Sequence, residues 1–437
     1  MNNLTLFSTL VMLLLQANFS RAYSEITLPP LERIDAYKVI QVSGNDVPSA
    51  LGDEIGNLSL AAVIDDVVEP IPYQIDEYNT GGAIYFDGWD VPIDGTKDIF
   101  DGNDKLLFLF KDAGPRKLQG QFFDGELVAE IQLTGKDGIP RYVYLLRNSK
   151  LRSQEQYVRY SAEHAHVETD FYSLTYDKEN HLKWLDFTAR NFVGEPPLDS
   201  MKIRLDGGLI TSFTETSLNN DEFVAVPEGE VIGPIRSTTQ LKVTLWLMNL
   251  PLLKISLQLH HYPKAMLYDV RVLMPSVRRK LLVDPVLSLS TEGNKLLGAT
   301  MRSALGPEEG GIVDGVIDEN EQQMIESGVD QERNWVWIST QRNLDLTAYF
   351  NFLGETSEPI ALQLMDSFDH EDPPERFVGQ LPNVGYKVLN FPQSGFFGFV
   401  VSIYIDEGFE GNPKVFTEDL RMPPEIKINI PVGNTNQ

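Results

Sequence analysis

The sequence predicts an all-β protein built from antiparallel β-sandwich modules, and two observations support this fold class. Residues 231–275 alternate apolar and polar side chains over consecutive segments, as strands do when one face lies on a core. Short segments of the same kind recur at intervals of roughly 10–20 residues along the rest of the chain, which is typical of sandwiches. One stretch, residues 319–327, has the pattern of a helix, so we expect a single short helix.

The central strands are predicted from a period of two. Every second residue is apolar in residues 241–247 and again in residues 253–259. Asn249-Leu250-Pro251 and Tyr262-Pro263-Lys264 interrupt the pattern and suit turns, because Pro has no N–H for a central ladder. A membrane-spanning helix is the alternative, and the polar residues within this stretch argue against it: Lys242, Asn249, Lys254, Ser256 and Gln258.

The first part of the chain predicts a smaller sandwich. Residues 126–133 and 140–147 alternate in the same way, and the Gly- and Asp-containing segment between them suits a hairpin. Residues 148–156 are polar without periodicity, so we place a domain boundary near residue 150. This divides the chain into an N-terminal module, residues 23–150, and a large sandwich, residues 151–437. Further strands of the first module are predicted at 37–42, 58–63 and 105–110.

Strand patterns continue beyond residue 157, with the one helix among them. The helix is predicted at Glu319–Ser327 because Asp318 can cap it, Glu321 follows three residues later and Gly328 stands at its end. The remaining strands are predicted at residues 164–176, 182–187, 201–205, 283–290, 335–340, 344–352, 360–365, 385–389, 396–405 and 425–430.

The N-terminus has the pattern of a secretory signal peptide. Residues 4–15 are largely apolar, and Ser20-Arg21-Ala22 offers small residues for cleavage after residue 22. The first three residues carry no Lys or Arg, which departs from the usual signal, and a retained membrane anchor is the alternative. We expect export to the periplasm or beyond, with no other segment apolar enough to span a bilayer.

Composition restricts the partners. The 437 residues carry a formal net charge of −27, which argues against binding to nucleic acid or to anionic membrane surfaces. The chain has no cysteine, so we expect its core, rather than disulfides, to stabilise it. The acidity is compatible with divalent-cation binding, and a solvated acidic surface is the simpler alternative.

One candidate calcium site is a loop rich in Asp and Gly. Calcium takes carboxylate and carbonyl oxygens in a flexible shell, and a glycine-rich loop can turn its Asp residues inward. The alternative is a loop whose Asp side chains accept hydrogen bonds from their own backbone. The candidate ligands are Asp94, Asp98, Asp101 and Asp104.

A second candidate calcium site resembles the later half of an EF-hand loop. Asp314, the following turn glycine, Asp318 and Glu321 have the spacing of that half, with Glu321 at the bidentate position. The earlier half departs, since Gly310 and Ile312 stand where the first two acidic ligands belong. A loop that leads into a capped helix is the alternative interpretation.

A third candidate site involves histidines. On one strand His164, His166 and Glu168 would share a face and present two imidazoles and a carboxylate. His260, at the end of a central strand, would add to them if the sheets meet there, and Tyr172 offers a base. These are our candidates for acid/base or metal roles, and partly exposed strand residues without a common partner are the alternative.

Two passages resemble exported bacterial proteins. IPYQID, residues 71–76, followed by DGNDKLLFLFKDAG, residues 101–114, resembles an opening module of such proteins. EGEVIGPIRSTTQLKVTLWL, residues 228–247, with the later FVGQLPNVGYKVLNF, residues 377–391, resembles the large supersandwiches related to galactose mutarotase. A family of exported proteins encoded near polysaccharide-degrading enzymes combines both features.

The resemblance implies carbohydrate binding or processing, with an oligo- or polysaccharide partner, at the concave face of the large sheet. It transfers no catalytic residue, so whether the protein is an enzyme stays open. No nucleophile elbow, phosphate-binding loop or dinucleotide fingerprint occurs in the sequence. A non-catalytic envelope assembly factor that binds another protein is the alternative function.

Overall fold

The computed structural model describes residues 28–209, 215–247, 250–353, 359–377, 379, 381–389, 395–409 and 411–431. The predicted signal peptide, residues 1–22, lies outside these residues. Antiparallel strands dominate the fold, which confirms the all-β prediction. Every helix in the described ranges is too short or too polar to cross a bilayer. The helices are α1 (Arg33–Ala36), α2 (Ser276–Arg279), α3 (Glu319–Ser327) and α4 (Pro413–Arg421).

The strands are numbered in chain order. They are β1 (Val39–Ser43), β2 (Leu58–Ile64), β3 (Val67–Pro70), β4 (Gln74–Asp76), β5 (Lys105–Leu109), β6 (Glu126–Thr134), β7 (Pro140–Arg147), β8 (Val158–Ser161), β9 (His166–Thr169), β10 (Tyr172–Tyr176), β11 (Trp184–Ala189), β12 (Leu198–Leu209), β13 (Glu215–Leu218), β14 (Phe223–Ile232), β15 (Ser237–Leu247), β16 (Leu250–Tyr262), β17 (Ala265–Met274), β18 (Leu282–Gly293), β19 (Thr300–Ser303), β20 (Gly311–Ile312), β21 (Val336–Ser339), β22 (Asp345–Phe352), β23 (Ile360–Met365), β24 (Asn383–Leu389), β25 (Gly395–Asp406) and β26 (Glu425–Asn429).

The first two sheets enclose a core of their own. One has the order β1-β5-β4 and the other β26-β6-β7-β2-β3, and the hairpin predicted from residues 126–147 is its β6–β7 pair. The C-terminal strand β26 pairs with β6, so this sheet combines early and late parts of the chain. The predicted boundary near residue 150 assigns residues 425–429 to the large sandwich, whereas they pair with a strand of the first module. The core between the sheets includes Ile40, Val42, Leu58, Leu60, Phe108, Ile131 and Val143.

The main core lies between a nine-stranded sheet and a five-stranded sheet. The larger has the order β14-β15-β16-β17-β25-β22-β21-β19-β20 and the smaller β13-β12-β18-β24-β23. A four-stranded sheet, β11-β10-β9-β8, packs onto the same core through Phe187 and Leu174. Leu241 lies opposite Leu257, and Val243 opposite Ile255, as the period of two predicts.

The outer face of β15–β17 is polar and is covered by a loop, residues 77–104. The side chain of Gln258 on β16 accepts a hydrogen bond from the backbone N–H of Ile84 at 3.0 Å and donates one to the Ile84 carbonyl at 2.8 Å. Arg271 on β17 donates to the carbonyls of Gly81 and Gly82. These paired contacts fix the loop against the sheet at two points.

The two passages that carry the sequence resemblance contact each other at the base of this loop. Arg236, of the GPIR segment, forms an ion pair with Asp76, of the IPYQID segment. Gln74 accepts hydrogen bonds from the backbone N–H of Ile235 at 3.1 Å and of Arg236 at 2.7 Å. Gly233 permits this approach, because a Cβ there would overlap the Gln74 amide. The role of these motif residues is therefore to join the first strands to the central sheet.

Candidate functional site

A groove opens where the covering loop leaves the outer face of the nine-stranded sheet. Its volume is about 570 Å³. The loop contributes one wall and the strands β14–β16 contribute the floor and the other wall. The lining residues are Phe86, Asp87, Gly88, Trp89 and Asp90 from the loop, and Glu228, Lys242, Lys254, Ile255 and Ser256 from the strands.

The sheet positions its polar groups in the groove by register. Lys242 on β15 lies directly opposite Ser256 on β16. Lys254 precedes Ser256 by two residues on β16 and lies on the same face. Their neighbours in sequence, such as Val243, point into the core. The alternation that builds the core therefore also places a row of polar side chains on the outside.

Charges in the groove are only partly paired. Lys242 donates to Glu228 at 2.7 Å, and Lys97 donates to Asp87 at 2.5 Å. Lys254 and Asp90 form no ion pair with any residue that the structure describes. The groove therefore offers one ammonium and one carboxylate that are free to contact a ligand, beside the partly buried side chain of Trp89.

The hydrogen bonds around Asp87 determine its protonation. Those from Lys97 and Tyr85 lower the pKa of Asp87. The same contact with Asp87 raises the pKa of Lys97. Asp87 therefore stays ionised at neutral pH and acts as a hydrogen-bond acceptor rather than a proton donor.

Two carboxylates of the predicted acidic loop accept hydrogen bonds from its backbone. Asp101 accepts a hydrogen bond from the backbone N–H of Thr96 at 2.6 Å, and Asp104 accepts one from that of Asp101 at 2.7 Å. Asp94 accepts one from the Asn103 amide at 2.5 Å. Burial raises the pKa of Asp104 to about 6. The four predicted calcium ligands of this loop lie outside the groove: Asp94, Asp98, Asp101 and Asp104.

The predicted histidine site is not brought together. His164 ends a short 3-10 turn instead of sharing a strand with His166, because Ala165 between them takes a left-handed conformation with φ of 47°. His166 contacts Thr175 through Nδ1 at 2.8 Å, whereas His260 contacts Thr238 through Nδ1 at 2.9 Å. The single strand expected over residues 164–176 is therefore two strands, β9 and β10.

Tyr172 contacts the neighbouring histidine, His261, in the core. Its hydroxyl lies 3.0 Å from His261 Nδ1, and the hydroxyl of Tyr176 lies 3.1 Å from His261 Nε2. Burial lowers the pKa of His261 to about 3, so this ring stays neutral. The cluster is enclosed and satisfied by its own hydrogen bonds, which indicates a structural role.

The EF-hand-like segment forms the start of α3. Asp318 accepts a hydrogen bond from the backbone N–H of Glu321 at 2.8 Å, and Glu321 accepts one from that of Asp318 at 3.0 Å. This capping box confirms the predicted helix start. Asp314 accepts a hydrogen bond from the backbone N–H of Val316 at 3.0 Å. Within the described ranges, no three His, Asp or Glu side chains already converge on a metal position.

A buried ionic cluster lies on the outer face of the five-stranded sheet. Lys202 on β12 contacts Glu292 on β18 at 2.7 Å and Asp199 at 3.2 Å, and all three side chains are fully buried. Lys202 also donates to the carbonyls of Asp372 and Pro374, each at 2.7 Å. The cluster ties the segment at residues 372–377 to the sheet.

The sequence analysis missed Trp89 and Lys254. Trp89 stands in the Asp- and Gly-rich loop and Lys254 in a central strand, and only the docking of the loop onto β16 brings them together. The aromatic residue among the loop carboxylates, in YFDGWD, is the one signal that could have indicated a ligand surface.

No protein-family profile and no curated protein matches the sequence. Among solved structures, the chain is similar to an α-mannosidase from Enterococcus faecalis V583, with 10% sequence identity and a TM-score of 0.48. It is also similar to a glycosyl hydrolase family 38 protein from Enterococcus faecalis, with 9% identity and a TM-score of 0.41. Each match covers 90% of this chain and 45% of the other, so the chain spans about half the length of these structures. The function of the groove is therefore inferred from its own side chains.

Proposed function

We propose that the protein is exported and binds an oligo- or polysaccharide in the groove between Trp89 and strands β14–β16. The observation that carries the proposal is that a partly buried indole side chain, Trp89, lines the groove together with an unpaired carboxylate, Asp90, and an unpaired ammonium, Lys254. Sugar rings present C–H faces that pack on aromatic rings, and hydroxyl groups that exchange hydrogen bonds with charged side chains. The sequence resemblance and the apolar N-terminal segment support the same proposal.

The groove favours binding over cleavage. Hydrolysis of a glycosidic bond needs a carboxylic acid whose pKa is raised, so that it can protonate the leaving oxygen. Asp87 has a lowered pKa instead, Glu228 is engaged by Lys242, and Asp90 is exposed to solvent. The proposed role is therefore retention of a glycan chain, with the ammonium and carboxylate groups fixing its orientation.

A non-catalytic assembly or protein-binding role is the second candidate. Leu273 on β17 and Phe396 on β25 form a cross-strand pair on the outer face and are 73% and 49% exposed. Val277 on α2, four residues beyond Leu273, is 75% exposed. Exposed apolar residues that lie together are a feature of protein interfaces.

The first experiment is a thermal-shift screen of the purified chain against a broad panel of neutral and acidic oligosaccharides. A ligand at about 100 times its dissociation constant stabilises the native state by about 2.7 kcal/mol. The variant Trp89→Ala should lose the response to the glycan while its melting temperature without ligand stays unchanged. Phe122→Ala is the matched control, since Phe122 is 86% exposed and lies outside the groove.

The outcomes separate the two candidates. A glycan response that Trp89→Ala abolishes and Phe122→Ala retains supports the groove. A response that both variants retain would refute the groove as the binding site. A flat panel, together with a partner captured by wild type and lost in Leu273→Ser, would favour the protein-binding role.

A further inference from the structure

A carboxylate from outside the EF-hand-like segment contacts its backbone. Asp366 follows β23 directly, and its side chain accepts hydrogen bonds from the backbone N–H of Asp314 at 2.9 Å and of Gly315 at 3.1 Å. These are the residues at positions 5 and 6 of the loop pattern. An acidic side chain from a distant part of the chain therefore contacts the middle of the loop.

Two of the carboxylates at this place are fully buried and lack a cation. Asp366 and Glu321 are each 0% exposed. Within the described part of the chain, no Lys, Arg or His forms an ion pair with Asp314, Asp318, Glu321 or Asp366. Buried charges in proteins are paired with an opposite charge or bind a metal, since an isolated buried carboxylate is costly.

One buried oxygen in the cluster has no hydrogen-bond partner. Glu321 Oε2 accepts from the Asp318 backbone, whereas Oε1 is buried and has no partner. Gly311 leaves room for this side chain, because a Cβ there would overlap it. Glu321 therefore keeps one buried oxygen available to a ligand.

We propose that Asp314, Asp318, Glu321 and Asp366, with the main-chain carbonyl of Val316, form a calcium site. The donor set consists of oxygen alone, which suits a hard cation and not the nitrogen and sulfur preferences of zinc or copper. Val316 occupies position 7 of the loop pattern, where an EF-hand supplies a backbone carbonyl. This site is independent of the glycan groove and adds a structural cation to the protein.

Binding requires side-chain rotation, since no three of these described carboxylates already converge on one position. Asp314, Asp318 and Glu321 each use one oxygen for a backbone N–H and keep the other free. A calcium shell of six to eight oxygens is flexible, so the free oxygens can turn towards one ion while the backbone hydrogen bonds remain. The ion would replace repulsion among four carboxylates with attraction, and would fix the start of α3 to the end of β23.

The test is calcium titration of the full chain after removal of bound ions with a chelator. Extracellular calcium modules bind with dissociation constants of about 0.1–1 mM, so calorimetry and melting curves at about 5 mM calcium would detect the site. Glu321→Gln and Asp366→Asn keep the shape and the hydrogen-bond acceptor but remove a charge. Each should weaken calcium binding at least tenfold and abolish the rise in melting temperature. Asp94→Asn, in the other acidic loop, is the control and should respond as wild type does.

A readout without calcium separates this role from a merely structural one. In chelator, Glu321→Gln should be as stable as wild type or more stable, because the capping contact remains and a buried charge is gone. Absence of any calcium response in wild type would overturn the proposal. So would a response that both charge-removing variants retain, or one that Asp94→Asn abolishes. An equal response to magnesium would overturn the assignment to calcium.

Discussion

Removal of Asp76 is the sharpest test of how the first strands are joined to the central sheet. The side chains of Asp76 and Arg236 are 1% and 4% exposed, and they form an ion pair. The amide of Gln74 also donates to both Asp76 oxygens, at 2.8 and 2.9 Å. In Asp76→Ala the guanidinium stays buried without a counterion, although it keeps its hydrogen bond to Tyr262 at 2.5 Å.

The expected loss of stability in Asp76→Ala arises because the Arg236 guanidinium is buried away from water. Breaking a buried ion pair by removing one partner typically costs about 3–5 kcal/mol. The free energy of unfolding of a domain is about 5–15 kcal/mol in total, so Asp76→Ala should lower the urea concentration at the unfolding midpoint strongly. The double variant Asp76→Ala with Arg236→Met should recover much of this loss, because no charge is left unpaired.

The assay is urea unfolding followed by tryptophan fluorescence and circular dichroism, with an exposed ion pair as control. Glu425 and Lys427 are 60% and 58% exposed, so Glu425→Ala should cost less than about 1 kcal/mol. If Asp76→Ala costs as little as this control, the pair is solvated and the reasoning fails. If the double variant is as unstable as Asp76→Ala, the loss comes from packing rather than from the unpaired charge.

Two further predictions concern other buried groups. Burial raises the pKa of Asp112 to about 7, although a hydrogen bond from Tyr157 opposes the shift. The folded state therefore holds the proton more tightly than the unfolded chain, whose carboxyl titrates near about 4, and Asp112 costs stability as pH rises through this interval. Asp112→Asn should raise the melting temperature at pH 8 and leave it almost unchanged at pH 4, and a larger gain at pH 4 would contradict the assignment. Tyr172→Phe should cost about 1–3 kcal/mol in urea unfolding, since it leaves His261 Nδ1 and two carbonyls without their shared hydroxyl. It should not alter glycan binding, and a loss of glycan affinity at unchanged stability would contradict a structural role.

Features that depend on neighbouring residues were predictable from the sequence. The helix Glu319–Ser327 has the predicted bounds because its capping box lies within four residues. The central strands follow from alternation, since their inward side chains all face the same core. Helix α4 was missed, although Asn412 caps it and Pro413 begins it, which are both local signals of a helix start.

Features that depend on register or on distant contacts were not predictable. His260 and His261 are adjacent and point to opposite faces, so only the register decides which of them meets Tyr172. Asp366 lies 45 residues beyond Glu321 in the chain, and no local signal links them. The groove likewise depends on a loop that docks across more than 150 residues of sequence, through Ile84 and Gln258.

The pairing of β26 with β6 has a consequence for biogenesis. Until residues 425–429 have been synthesised, β6 presents an edge of unpaired N–H and C=O groups while the strands beside it are already able to form. Such an edge recruits other strands, including those of a second nascent chain. A chain that folds in this way keeps an open edge on the sheet β6-β7-β2-β3 through most of its translation, and the late pairing of β26 with β6 protects that edge from aggregation.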